Sequence, residues 1–217
     1  MNDMSQSPGD ELTAEQQWAQ FSTLATADDY VSSLRGRNLN VYLLGERVDE
    51  PVDHPIIRPS INAMAESYQL AEDDPDLATA WSSISEQQIN RFLHVPESSL
   101  DLVQKNKMQR RMGQLTGTCF QRCAGLDTLS VLFSITYDID KQHGTPYHER
   151  FVSFLKKAQS HNLIVGAGMT DPKGDRSKRP SNQSDPDLFM HVTRRTKEGL
   201  YVKGAKAHMT GGLNSHW

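Results

Sequence analysis

The chain has 217 residues, 23 Lys and Arg against 27 Asp and Glu, a formal net charge of -4, and 36% hydrophobic residues. That is enough apolar material for one generous core or two small domains, and the charge balance gives no general field for nucleic acid or an anionic membrane. Two cysteines cannot build a disulfide framework, "MNDMSQSPGDELTAEQQWAQ" has neither the basic region nor the apolar run of an export signal, and no segment approaches the roughly 18 apolar residues of a membrane span, so a cytoplasmic location is expected.

Residues 1–25 are polar and read as a flexible N-terminus. Thr26 opens a short helix with Asp28 and Asp29 in its first turn. Val41, Tyr42, Leu43 and Leu44 read as extended chain before a turn at Gly45, and the prolines of "EPVDHPIIRPS" make that stretch a connector. From Ser60, Ile61, Met64, Ala65, Tyr68 and Ala71 recur at helical spacing, and "DPDLATAWSS" follows as a polar link. Ser85 with Gln88 three residues on, then Ile89, Phe92 and Leu93, predicts a helix that Pro96 stops. The next helix begins near Ser98 or Ser99, takes Asp101 into its first turn, and is carried by Leu102, Met108, Met112 and Leu115.

"TGTCFQRCAG", Thr116 to Gly125, reads as a continuation of this helical region and holds both cysteines, Cys119 and Cys123. Four residues apart on a helix puts the two thiols on one face, roughly 6 Å from each other. Buried packing, a redox pair and half of a metal site all fit that spacing. Leu126, Leu129, Leu132 and Phe133 then suggest a buried helix, and Phe151, Phe154 and Leu155 the inward face of another, with Lys156 and Lys157 outward. Residues 26–161 therefore read as a helical domain.

After His161 the texture changes. "LIVGAGMT" is a short apolar run and "DPKGDRSKRPSNQSDPD" a polar loop; "LFMHVTRRTKEGLYVKGAKAHMTGG" reads as two strands joined by a turn at Glu198 and Gly199. Residues 162–217 are expected to begin a β domain that two to four strands leave unfinished.

Several residues carry chemistry by type alone. In "MTDPKGDRS" successive turns expose backbone donors that can receive an anion, with Lys173 and Arg176 supplying positive charge; a polar surface turn has the same composition. "VGAGMT" does not fit the GxGxxG nucleotide fingerprint. By spacing, Gln121 is an exposed helical glutamine, Thr210 a strand-end threonine, and His148 a half-buried histidine beside Tyr147. Arg122 and Arg110 can pair with carboxylates or a phosphate, or stay solvated.

Taken in order, "TGTCFQRCAG", "TYDIDKQHGTPYHERF", "GAGMTDPKGDRSKRPSNQSDPDLFMHV" and "GLYVKGAKAHMTGGLNSH" resemble the 4-hydroxyphenylacetate 3-hydroxylase flavoprotein family, and within it the 4-hydroxybutyryl-CoA dehydratases that are also vinylacetyl-CoA isomerases. The likeness runs from about Tyr30 to His216. It implies an α+β, acyl-CoA dehydrogenase-like fold: an N-terminal helical domain and an incomplete central β domain, with the C-terminal helical domain absent. It implies FAD, contacted by Met169, Thr170, Asp171, Lys173, Asp175, Arg176 and Ser177 and, near the reactive ring nitrogen, by Thr210. It implies a 4Fe-4S cluster for which Cys119 and Cys123 supply two ligands, the other two lying outside this chain, and it puts Gln121, Thr210 and His148 at the catalytic site of an acyl-CoA substrate.

The implied reaction is dehydration of 4-hydroxybutyryl-CoA to crotonyl-CoA, with vinylacetyl-CoA isomerisation, and none of the residues in this chain matches the family's general base or acid. The alternatives are a flavin-dependent 4-hydroxyphenylacetate 3-monooxygenase and an inactive fragment or split-enzyme subunit. Neither nucleic acid nor membrane is expected as a partner; a homo-oligomer is expected for the full-length family, and here a separate C-terminal subunit is the other option.

Overall fold

A computed structural model describes residues 14–122, 124–197 and 199–217. In chain order it contains α1 (Ala14–Ala19), α2 (Ala27–Ser33), the hairpin β1 (Val41–Leu43) and β2 (Glu46–Val48), α3 (Arg58–Asp73), the short α4 (Pro75–Ala78), the hairpin β3 (Thr79–Ser82) and β4 (Gln87–Asn90), α5 (Ser99–Thr116), a π-helical turn (Ala124–Thr128) leading into α6 (Leu129–His143), α7 (Tyr147–His161), and the hairpin β5 (His191–Arg195) and β6 (Leu200–Lys203). The fold is thus mixed: among the described residues, helices carry most of the core, and of three separate antiparallel hairpins β3–β4 contributes to it.

The helix starts follow their side chains. Thr26 and Asp29 cap α2 reciprocally, and Ser98 and Asp101 do the same for α5, each pair satisfying backbone donors that the first turn leaves free. Along α3 the expected positions Ile61, Met64, Ala65 and Tyr68 are buried. They meet Tyr30 and Val31 of α2, and Leu163 and Ile164 beyond α7, in one cluster. Leu70, Phe92, Met108, Met112 and Leu126 form a second, and Ile89, Leu93, Leu129 and Leu155 a third.

Four expectations are corrected. The stretch before Thr26 is anchored at two points: Trp18 and Leu24 are buried, and the Leu24 N–H donates to the His161 carbonyl. One aromatic side chain on a six-residue helix suffices to dock a polar segment. The helix predicted from Ser85 is β4, and the expected polar link before it is α4 and the partly buried strand β3, paired with β4 so that Ala80 faces Ile89. Ser85 caps nothing, and Gln159 of α7 holds this hairpin instead, accepting from Ser82 Oγ at 2.9 Å and donating to the Leu93 carbonyl at 2.9 Å. Tertiary bonding here overrides the local helical pattern.

The third correction concerns the cysteine segment. α5 ends at Thr116 because Gly117 adopts φ 61°, the left-handed cap that closes a helix. Cys119 therefore sits on an irregular exposed stretch between two helices, not on a helical face; Cys123 lies outside the described residues. Fourth, Leu102 and Leu115 of α5 and Leu132 of α6, expected inward, are exposed. Lys105, not Leu102, occupies the inner face of α5 between Asp101 and Met108.

Residues 162–217 contain β5 and β6, with the backbone bridges Thr170 to Ala207 and Phe189 to Ala205. Gly204, at φ 135°, lies so close to the Met190 backbone that a Cβ there would come within 2.5 Å of it. The last residues fold back over α1 and α2. His216 N–H donates to the Ile164 carbonyl at 2.9 Å, Gly166 N–H to the Trp217 carbonyl at 2.7 Å, and Tyr30 Oη–H to the Asn214 carbonyl at 2.9 Å.

Candidate functional site

The stretch between α5 and α6 and the two segments that flank the polar loop face each other across a groove of about 540 Å³. Gln121, Asp127 and Thr128, with Val131 and Leu132 on the first turn of α6, form one wall. Gly166 to Thr170 and His208 to Thr210 form the other, zipped together by the Ala207 N–H donating to the Thr170 carbonyl at 2.8 Å. The surface is mainly apolar, with Gln121, Thr210 and His208 supplying polar groups, and its volume falls in the range that encloses a small organic ligand or cofactor ring. Gln121 and His208, at φ 56° and 54°, hold a left-handed backbone that non-glycine residues rarely adopt, one on each wall.

The Gln121 wall rests on Arg122, whose guanidinium is wholly buried. Its carbon lies 5.2 Å from the centre of the Tyr68 ring and 5.0 Å from that of Phe92, and Nη1 donates to Ser67 Oγ at 2.8 Å. Among the described residues Nη2 has no partner. Burial lowers the Arg122 pKa from its ordinary value and raises that of Tyr68 to about 12. Beneath the π-helical turn, Lys105 Nζ donates to the Leu126 carbonyl at 3.4 Å, and burial lowers its pKa to about 8 against the opposing pull of Asp127 and Asp101.

The groove brings together Gln121, Thr210, Met169 and Thr170 of the residues singled out from the sequence. The remainder of the loop is not part of its lining. Asp171 pairs with Lys206 Nζ at 2.6 Å, and Asp175 accepts from the Ser177 N–H at 3.0 Å and hydroxyl at 2.6 Å. Lys173 and Arg176 are exposed. His148 packs in the seam of α6 and α7, its Nδ1 3.1 Å from Thr136 Oγ1 and its ring edge-on to Phe133 and Tyr137. Asp127, Thr128, Val131 and His208 join the lining without any signal of their own in the sequence. The usable signal was the break at Gly117, which turns the residues after it away from a helical face.

A flavin ring fits the groove: the lining is apolar at α6 and offers an amide at Gln121 and a hydroxyl at Thr210. Among the described residues no three His, Cys, Asp or Glu side chains converge; Cys119, one of the two expected cluster ligands, is exposed, and the other, Cys123, lies outside the described residues.

Comparison with known proteins places this arrangement. The oxygenase component of 4-hydroxyphenylacetate 3-monooxygenase, solved in complex with FAD, shares the fold with a TM-score of 0.65 at 20% identity, over 84% of this chain and 38% of that one. Residues 26–217 match the family described as 4-hydroxyphenylacetate 3-hydroxylase N terminal, and the chain belongs to that family. Within it, the 4-hydroxybutyryl-CoA dehydratase/vinylacetyl-CoA-Delta-isomerase of Clostridium aminobutyricum is 50% identical over 195 residues, which is 89% of this chain and 40% of the relative. The solved 4-hydroxybutyryl-CoA dehydratase of N. maritimus is 60% identical with a TM-score of 0.86, over 90% of this chain and 39% of that one. The chain thus spans about 40% of the length of the dehydratase relatives it matches. No helix among the described residues is long and apolar enough to cross a membrane.

Proposed function

We propose that this chain supplies the N-terminal part of a flavin-dependent dehydratase that converts 4-hydroxybutyryl-CoA to crotonyl-CoA and isomerises vinylacetyl-CoA. The observation that carries the reading is the contrast in likeness, 50% and 60% identity to dehydratases against 20% to the solved hydroxylase. The acyl-CoA dehydrogenase-like architecture, the division into a helical part at 26–161 and a β part at 162–217, and an acyl-CoA substrate belong to the same reading.

A flavin bound in the groove would supply the electron acceptance that loss of an unactivated proton requires. The chain's own contribution is placement. Gln121 offers its amide to a carbonyl oxygen of the substrate or ring, Thr210 offers a hydroxyl to the ring, and Val131 and Leu132 keep one edge of the groove apolar. Met169 and Thr170 contribute to the flavin contact directly, and Asp171, Lys173, Asp175, Arg176 and Ser177 act from the loop behind them. His148, which the resemblance puts at the catalytic site, lies outside the groove lining and supports the α6–α7 pair. Cys119 and Cys123 supply at most two of a cluster's four ligands, so no step is routed through one.

The test is titration of the chain with FAD, followed by flavin absorption and fluorescence. Crotonyl-CoA is then added in one sample and 4-hydroxyphenylacetate in another. Perturbation of the bound flavin by crotonyl-CoA alone is expected; perturbation by the phenol alone would move the assignment to the monooxygenase branch.

A further inference from the structure

Asn214 is 2% exposed and touches the groove only through Gln121. Its Nδ2 lies 2.9 Å from Ser60 Oγ and 3.1 Å from Gln121 Oε1. The Ser60 hydroxyl has one proton, and it goes to the Ile57 carbonyl at 2.8 Å, because two oxygens at that distance need a proton between them. Ser60 Oγ can therefore only accept from residue 214, which fixes the amide nitrogen of Asn214 toward it. The second proton of that nitrogen then points at Gln121, whose facing atom must be the oxygen.

Asn214 Nδ2 gives to both Ser60 and Gln121, and Ser60 gives to Ile57, while Asn214 Oδ1 is buried with no partner among the described residues. Two further contacts hold it. Tyr30 Oη–H donates to the Asn214 carbonyl, and the Asn214 N–H donates to the Gly211 carbonyl at 3.0 Å, fixing the backbone on both sides of the amide. Gly211, at φ 77°, lets the chain pass so near Gln121 that a Cβ there would come within 2.9 Å of its Oε1 and 3.0 Å of its Cβ.

We infer that Asn214, locked by Ser60, is a positioning residue that turns the Gln121 amide so that both Nε2 protons face the groove. The groove then selects a carbonyl oxygen at that corner, whether of an acyl thioester or of a flavin ring. The inference rests on the groove being the ligand site, but the orientation of Gln121 stands or falls separately.

Two measurements on the full chain separate the two. In the 15N-labelled protein, with the Gln121 side-chain signals assigned by their loss in Gln121→Glu, the Asn214 amide protons are expected to exchange with water at least about tenfold more slowly than those of Gln121, which face the open groove. Slow exchange at Gln121 with fast exchange at Asn214 would overturn the inference. Asn214→Asp replaces the shared donor with an acceptor and should reverse the Gln121 amide, so that its protons become the protected ones and binding of FAD or crotonyl-CoA, each titrated alone, weakens by about tenfold. The probe that weakens identifies which carbonyl occupies the corner. Unchanged exchange and binding in Asn214→Asp would also overturn it.

Should Asn214→Asp fail to fold, Ser60→Ala gives the second reading: it releases the lock, and Asn214 exchange should quicken while the helix content of the chain is kept. Failure of both probes to bind the unaltered chain would end the flavin reading of the groove and leave the exchange result to decide the orientation of Gln121.

Discussion

The indole of Trp217 lies flat against that of Trp18, with ring centres 4.8 Å apart and planes inclined by 9°. Phe154 of α7 meets both, at 5.4 Å from Trp217 and 5.7 Å from Trp18. Offset aromatic contacts of this kind stabilise by about 0.5–1.5 kcal/mol beyond their buried area. Trp217→Ala should therefore lower unfolding stability by about 2 kcal/mol, read as a shift of the urea midpoint at unchanged slope. An unchanged midpoint would show that the stack contributes nothing.

His216 is held neutral. Its Nδ1 accepts from the Ile164 N–H at 3.1 Å, and its Nε2 donates to Ser33 Oγ at 2.9 Å, since the Ser33 proton goes to the Tyr30 carbonyl. Burial, with Arg37 and Arg122 nearby, pushes its pKa down to about 3. An unfolded histidine titrates near 6.5, so between about 6.5 and 3 the unfolded chain binds the extra proton. Stability conferred by the neutral ring is complete above that window and is lost as pH falls through it. Denaturant unfolding at pH 7, 5.5 and 4 should show this loss, and His216→Gln, whose amide can make both bonds without titrating, should show a shallower one.

Lys105 gives the opposite end of the pH scale. Its folded pKa of about 8 lies below the ordinary lysine value, so between about 8 and 10.5 the unfolded chain holds more protons and stability should rise with pH. Below about 8 both states are charged and the burial cost is felt in full. The rise should disappear in Lys105→Met, which keeps the aliphatic stem and removes the charge. Melting temperatures of the two proteins from pH 7.5 to 10 test this directly.

Arg122 fills the space between Tyr68 and Phe92, and truncation there leaves a cavity beneath Gln121. Arg122→Ala should cost about 3 kcal/mol, a loss typical of emptying an aromatic-lined core position. Arg122→Met, which refills the volume without a charge that has no carboxylate partner among the described residues, should cost clearly less. Equal losses for the two would mean that the cation-π contacts, not the filled volume, hold the segment.

Gly211→Ala would place a methyl group within 2.8 Å of Met64 Cε as well as against Gln121, at a backbone angle that alanine resists. The combined strain should destabilise by about 2 kcal/mol and weaken FAD binding together, measured by unfolding and by flavin fluorescence. Weakened stability with intact FAD binding would place the flavin away from Gln121.

Much of the helical frame was legible because its signals are local. Thr26 with Asp29 and Ser98 with Asp101 announce their caps within three residues, and the stripe through Ile61, Met64 and Tyr68 declares the inner face of α3. What the sequence hid depends on partners far along the chain. Ser85 and Gln88 imitate a helix start, and only pairing with Thr79–Ser82 and the bonds from Gln159 make the segment a strand. Trp18 looks like part of a polar tail until Trp217 is seen beside it. Of the groove lining, Gln121, Thr210, Met169 and Thr170 came from the family resemblance and not from their spacing, whereas Asn214 carries no signal of its own: its role exists only through Ser60 and Gln121.

The fold-back over α1 and α2 also sets an order of events during folding. Tyr30 and Asn214, 184 positions apart, must meet before the buried phenol has its carbonyl acceptor. Closing so long a loop comes late and adds entropy cost before it returns any contact. The helices from α2 to α7 can form their hydrophobic clusters first, with Tyr30 stacked on Tyr68, and only the Tyr30 hydroxyl waits for its acceptor. The chain should therefore show a slow final phase in which tryptophan fluorescence changes while helix content, already established, does not.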